Sequence, residues 1–159
     1  MRIIVTGSRD WTDRESIRRA LDSAIAAFDQ GPTLPRLVHG GCGMRQPRPG
    51  EEPTYTADPP VGADAIADDI WRSWGLPREI HFARWDRHGN RAGPLRNRDM
   101  CNRGADYALA FSLGDSAGTA DCLRNLAANR IPVLIDKRPR PVAPEPAREE
   151  WGTDLVIRA

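Results

Sequence analysis

Residues 2–10 read Arg2-Ile3-Ile4-Val5-Thr6-Gly7-Ser8-Arg9-Asp10, and this stretch decides the fold. The β-branched apolar run from Arg2 to Thr6, ended by Gly7, predicts a buried strand. Thr12 and Glu15 follow at capping-box spacing. Ile17, Leu21, Ala24 and Phe28 then recur at the helical period. A strand, a short polar loop and an amphipathic helix open an α/β unit.

The pattern repeats along the chain. Arg36 to His39 predicts a second strand, closed by Gly40-Gly41. Ala63, Ile66, Ala67, Ile70 and Trp74 share one face of a helix that Gly75 ends; Trp71 and Trp74 lie on or beside that face and belong to the core. Glu79 to Phe82 predicts a third strand. A polar loop then leads to Pro94, which suits the first turn of a helix covering roughly 95–103. Asp106 to Phe111 predicts a fourth strand, Leu123, Leu126 and Ala127 mark another helix, and Ile131 to Ile135 predicts the fifth strand. Strands alternating with helices predict a single Rossmann-like α/β domain. Its sheet is mostly parallel, with five to six strands and helices on both faces, because right-handed crossovers require it. Residues 1–135 form this domain. Residues 42–61, rich in Pro, Gly and charge, read as a long inserted loop, either a lid or a solvated decoration. Residues 136–159 read as a Pro-rich linker and tail, with a possible edge strand at Asp154 to Arg158.

Composition narrows the function classes. A chain of 159 residues suits one hydrophobic core. No apolar run approaches the roughly 18 residues of a membrane span, and the N-terminus lacks a signal-peptide pattern, so no membrane partner and a cytoplasmic location are expected. Cys42, Cys101 and Cys122 are widely spaced without C-x-x-C, and the histidines form no H-x-x-x-H; neither a disulfide framework, a metal nor another cofactor is expected. A formal net charge of +1 gives no global field for a nucleic-acid backbone, so nucleic acid is an unlikely partner. Lys137 is the only lysine among many arginines. That reflects coding bias or phosphate recognition, and composition does not separate the two.

Three glycine-containing loops follow predicted strands: Gly7-Ser8-Arg9, Gly40-Gly41, and Ser112 to Thr119 with Gly114, Asp115, Ser116 and Gly118. In a parallel sheet all three lie at the carboxyl edge, where ligands bind. Glycine lets the backbone approach a ligand, and helix N-termini offer unpaired N–H groups to a phosphate. Arg96 and Asn97 open a helix at the same edge, where an arginine opposes the helix dipole unless it meets an anion. Trp11 and Trp85 flank the expected crevice as base-stacking candidates or packing residues. Asp64 either bonds a ribose hydroxyl or caps its helix. His39 reads as an acid/base group or a structural histidine; a Cys122–His39 nucleophilic pair has no further support.

The ordered series VTGSRDW (5–11), VHGG (38–41), GAD (62–64), GPLRNRDM (93–100) and ADYALAF with GDSAGT (105–119) resembles the SLOG superfamily, in its YspA/YpsA-related branch. It is also akin to the Lonely Guy phosphoribohydrolases and, more distantly, to the DNA-processing protein DprA. The resemblance implies a Rossmann-like fold, a nucleotide-derived ligand and a homo-oligomer. Lonely Guy enzymes cleave the N-glycosidic bond of nucleoside monophosphates and carry R-K-x-x-M, then P-G-G-x-G-T-x-x-E. Here Arg96 and Met100 are kept, Asn97 replaces the lysine, Gly118-Thr119 is kept, and Cys122 stands where the glutamate belongs. The oxocarbenium-like transition state needs a carboxylate, so Asp121 or Asp115 becomes the candidate, with Arg96 beside it. The insert at 42–61, carrying Arg45, Arg48, Glu51, Glu52 and Tyr55, is a second departure and an alternative source of a carboxylate. Two main readings result: a sensor or sequestering protein for a nucleotide-derived ligand, of a kind found in phage conflict and stress systems, or a nucleotide N-glycosidase. A DprA-like single-stranded DNA module is a third, disfavoured by the charge.

Overall fold

Ile3, Ile4 and Val5 are wholly buried because their strand, β1 (Arg2–Gly7), occupies the middle of a parallel sheet in the computed structural model, which describes residues 1–28 and 32–142. The sheet runs β5–β2–β1–β6–β7, formed by β2 (Arg36–His39), β5 (Arg78–Ile80), β6 (Tyr107–Leu113) and β7 (Val133–Arg138). Ile4 pairs with Val38 on one side and Ala108 on the other. Side chains alternate across the pleat, so β1 feeds two cores. Ile3 and Val5 pack with Ile17 and Leu21 of α1 (Arg14–Phe28) and with Ile66 and Ile70 of α2 (Ala63–Ser73). Ile4 packs with Met100 of α4 (Ala92–Asn102) and with Cys122 and Leu126 of α5 (Ala117–Ala128). Helices cover both faces, as the alternating pattern predicts.

The chain moves outward from β1 to β2 and β5, then returns to β6 and β7 on the other side. Strand order therefore reverses at β1, and the crevice lies beyond the carboxyl ends of β1 and β6.

Four expectations shift. The third strand is Arg78–Ile80, earlier and shorter than Glu79 to Phe82: after His81 donates its N–H to the His39 carbonyl (2.9 Å), Phe82 turns away and its ring faces Gly41. The polar loop before Pro94 contains a short helix, α3 (Trp85–His88), and a 3-10 turn at Gly89–Arg91. The insert is a docked hairpin of β3 (Met44–Arg45) and β4 (Thr54–Tyr55), whose two-residue strands are too short to leave a periodic signal. The fifth strand runs past residue 135 to Arg138, because Arg138 bonds Asp13 (2.8 Å) and Asp136 (2.7 Å) and lies 4.7 Å over the Trp11 ring. The domain therefore extends beyond residue 135. The possible strand at 154–158 lies outside the described residues. Among the described residues no helix is long and apolar enough to cross a membrane.

Candidate ligand-binding site

At the end of β1, a Cβ on Gly7 would collide with the Phe111 carbonyl and the Ala63 methyl, so only glycine fits between β6 and α2. The next residue ties two strand ends together: Ser8 donates its N–H to the Phe111 carbonyl (2.8 Å), and its hydroxyl accepts the Leu113 N–H (2.8 Å). These ties leave the following side chain, Arg9, exposed at the crevice, with no hydrogen bond or ion pair among the described residues.

The opposite wall is the start of α5. Ser116 is its N-cap, and the hydroxyl accepts from the Thr119 N–H (3.4 Å) and the Thr119 hydroxyl (3.2 Å). Ala117 and Gly118 line the crevice, and their N–H groups, at the first turn of α5, precede any intrahelical acceptor.

The loop after β2 is built differently. The Asp64 carboxylate, 4 % exposed, accepts the N–H groups of both Gly40 and Cys42 at 3.1 Å. Asp64 thus holds the glycine turn rather than capping its own helix, whose N-cap is Gly62. The Gly41 N–H donates to His39 Nδ1 (3.2 Å), which places the ring proton on Nε2, 3.0 Å from Asp68. His39 is therefore a buried structural histidine. Gly40 and Gly41 were expected to present amides to a phosphate; both amides are already engaged inside the protein.

Arg96 and Asn97 connect the walls. The Arg96 guanidinium donates to the carbonyls of Gly40 and His81 and to Asn97 Oδ1 (2.9 Å), and it contacts Cys42 Sγ (3.8 Å). Three acceptors answer the arginine's unfavourable place near a helix start. Asn97, 5 % exposed, turns its amide N–H groups to Asp121 (2.9 Å) and the Gly118 carbonyl (3.4 Å). Asp121 also pairs with Arg124 (3.2 Å). Burial, with the nearby Asp64 charge, pushes the Cys42 thiol up.

The resulting crevice measures about 570 Å3, within the range of small-molecule sites. Of the residues singled out in the sequence, Gly7, Ser8, Arg9, Gly40, Asp64, Trp85, Arg96, Asn97, Ser116, Gly118, Thr119 and Asp121 line it. Others lie elsewhere. Trp11 is 1 % exposed, tilted against Phe111 at 5.4 Å between ring centroids, and is a core residue rather than a stacking surface. Asp115 is 99 % exposed and bonds Lys137 (3.0 Å). Gly114 turns the chain at φ +59 and donates its N–H to the Arg138 carbonyl (2.7 Å). Gly41 faces a neighbouring hollow. Cys122 is wholly buried in the second core beside Cys101, whose hydrogen bond, with burial, pushes its thiol up, while His39 is engaged by Asp68 and Gly41. From the insert, Glu52 bonds Arg78 (2.7 Å) and Glu51 accepts the Arg48 N–H (3.3 Å), so neither supplies a carboxylate to the crevice.

Sequence reasoning missed Arg124 and Arg140 in the lining. Arg124 was legible as the i+3 neighbour of Asp121. Arg140 was not: it sits in the Pro-rich stretch and reaches the site because β7 is longer than its apolar run, and it bonds Asp10 at 2.8 Å. Among the described residues, no three His, Cys, Asp or Glu side chains gather to hold a metal ion.

No known family model matches the chain, and no solved structure does. The chain is similar to the Gene 61 protein of Mycobacterium phage D29, 37 % identical over 140 residues that cover 84 % of this chain and 94 % of that protein. Similarity of that extent places the chain in the same family as the Gene 61 protein of Mycobacterium phage D29.

Proposed function

We propose that this protein binds a phosphate-bearing, nucleotide-derived small molecule at the carboxyl edge of its sheet, and acts as a sensor or sequestering protein. One observation carries the reading. The open Ala117 and Gly118 amides of α5 and Arg9, which has no hydrogen bond or ion pair among the described residues, line the same crevice. Oriented amides and a guanidinium together recognise phosphate oxygens. Homo-oligomerisation and a cytoplasmic setting belong to the same reading. Calorimetric titration with ribose 5-phosphate tests it. Binding is expected, and Arg9→Gln, which breaks no contact among the described residues, should weaken it by roughly 10- to 100-fold, the equivalent of one charge-assisted hydrogen bond. Wild-type protein that takes up no ribose 5-phosphate contradicts the reading.

A nucleotide N-glycosidase is a second reading, favoured by Asp121. Its carboxylate lines the crevice and is oriented by Asn97, while Cys122, at the position of the Lonely Guy glutamate, is buried. Release of free base and ribose 5-phosphate from a nucleoside monophosphate, abolished in Asp121→Asn with binding kept, would establish it. Nucleotide recovered intact after prolonged incubation sinks it.

A further inference from the structure

The crevice does not end at Arg9. A second hollow of about 440 Å3 adjoins it, and the two share Arg9, Gly40, Cys42, Trp85 and Arg96 as a common wall. The rest of the second hollow is made by Gly41 and Gly43, by Met44 and Gln46 of the inserted hairpin, and by Phe82 and Ala83.

The two hollows differ in chemistry. The first has open helix amides, Arg124 and Arg140. The second has a floor whose Gly40, Gly41, Cys42 and Met44 amides are already engaged. The Gly40 and Cys42 amides bond Asp64, the Gly41 amide bonds His39, and the Met44 amide donates to the Gly41 carbonyl (3.1 Å). The Gly43 carbonyl accepts from the Thr56 N–H and hydroxyl, each at 3.0 Å. Arg96 spends its Nε and Nη1 donors on Asn97, Gly40 and His81 and sets Nη2 against Cys42 Sγ (3.8 Å), and Arg9 is shared with the first hollow, where the proposed phosphate takes it. Such a floor offers an anion nothing new, and burying a charge there without a partner is costly. It suits a flat, uncharged group instead.

Its shape agrees. A Cβ on Gly41 would sit 2.7 Å from the Phe82 ring, and one on Gly43 would sit 2.5 Å from the Val61 carbonyl. Both glycines have positive φ, so the turn packs tightly, Gly43 against Val61 and Gly41 against the Phe82 ring, which gives the hollow an aromatic wall. Trp85, half exposed, stands at the boundary between the hollows. Gln46 contributes a side-chain amide, which carries donors and an acceptor and matches the edge of a nucleobase.

We infer that the second hollow receives the base of the ligand whose phosphate occupies the first, with Gln46 as the residue that reads the base edge. This rests on the phosphate reading above. It assigns the hairpin a role in specificity.

Titration of the full chain with ribose 5-phosphate and with AMP, GMP, CMP and UMP tests it. At least one nucleoside monophosphate should bind about tenfold or more tighter than ribose 5-phosphate, the scale of one base–aromatic contact. Gln46→Ala should remove roughly fivefold or more of that advantage and leave ribose 5-phosphate binding unchanged. Gln46 is exposed, so this variant should fold normally. Monophosphates that bind no tighter than ribose 5-phosphate overturn the base hollow while leaving the phosphate site standing. A Gln46→Ala chain that keeps the full advantage, or loses ribose 5-phosphate binding equally, also overturns it. If neither ribose 5-phosphate nor any monophosphate binds, both this inference and the phosphate reading fail.

Discussion

Glycine and serine at the end of β1 serve packing before they serve the proposed ligand. Gly7 is pressed between the Phe111 carbonyl and Ala63, and Ser8 ties β1 to β6. Gly7→Ala should therefore destabilise the fold by about 1–3 kcal/mol, as overpacking in a tight core does, read as a lower urea midpoint with unchanged slope. A variant as stable as the wild type would show that the strand end has slack. The sequence marked both residues correctly as part of the edge, because a strand that ends in glycine is legible. It did not separate the two roles. Side-chain partners made that distinction, and they come from residues a hundred positions away, such as Leu113. The same limit left Trp11 open between stacking and packing. Arg138 and Phe111, distant in sequence, enclose it and make it a packing residue.

The inserted hairpin shows what an element can hide from a sequence. Its composition predicted an unstructured loop, yet Tyr55 donates its hydroxyl to Asp68 (2.8 Å), and Arg78 spans Glu52 (2.7 Å) and Asp68 (3.1 Å). A few polar contacts, not periodic apolar burial, hold it against α2 and β5. Loss of one such contact should act locally. Tyr55→Phe should raise hydrogen exchange at the Met44 and Thr56 amides about tenfold, with global stability lowered by only ~1 kcal/mol. Unchanged exchange at both amides would mean the hairpin does not depend on this bond. The central strands β1, β2 and β6 and the helices α1 and α2 were legible by contrast, since they bury apolar residues at a regular period. Other ends moved: β7 continues as Asp136-Lys137-Arg138 on charge pairing instead of apolar burial.

At the scale of the molecule, the sheet order places every crevice-lining loop on one edge, and a charge network fastens that edge. Burial alone would push the Asp68 carboxyl up, but hydrogen bonds from His39 and Tyr55 and the charge of Arg78 outweigh it and hold it below its ordinary value of 3.8. The Glu79 carboxyl is likewise pushed up by burial and held down more strongly by Arg2 and His81. The Arg138 hydrogen bond lowers Asp13. Carboxyls depressed by folding contribute stability above their unfolded values, and that stability is lost as pH falls through the folded values. The urea midpoint should therefore hold at neutral pH and fall steadily below about pH 5. Asp68→Asn should lower stability at pH 7 and flatten that acid limb; an equally steep limb in the variant would remove Asp68 from the network.

The central claim is that phosphate binds at the start of α5, opposite Arg9. Amide nuclear magnetic resonance during titration with ribose 5-phosphate tests it most directly. The open N–H groups of Ala117 and Gly118 should show the largest shifts, while Gly40 and Cys42, whose N–H groups are held by Asp64, should change little. Shifts centred on Gly40 and Cys42, or no shift at Ala117 and Gly118 at saturating ribose 5-phosphate, would contradict the account.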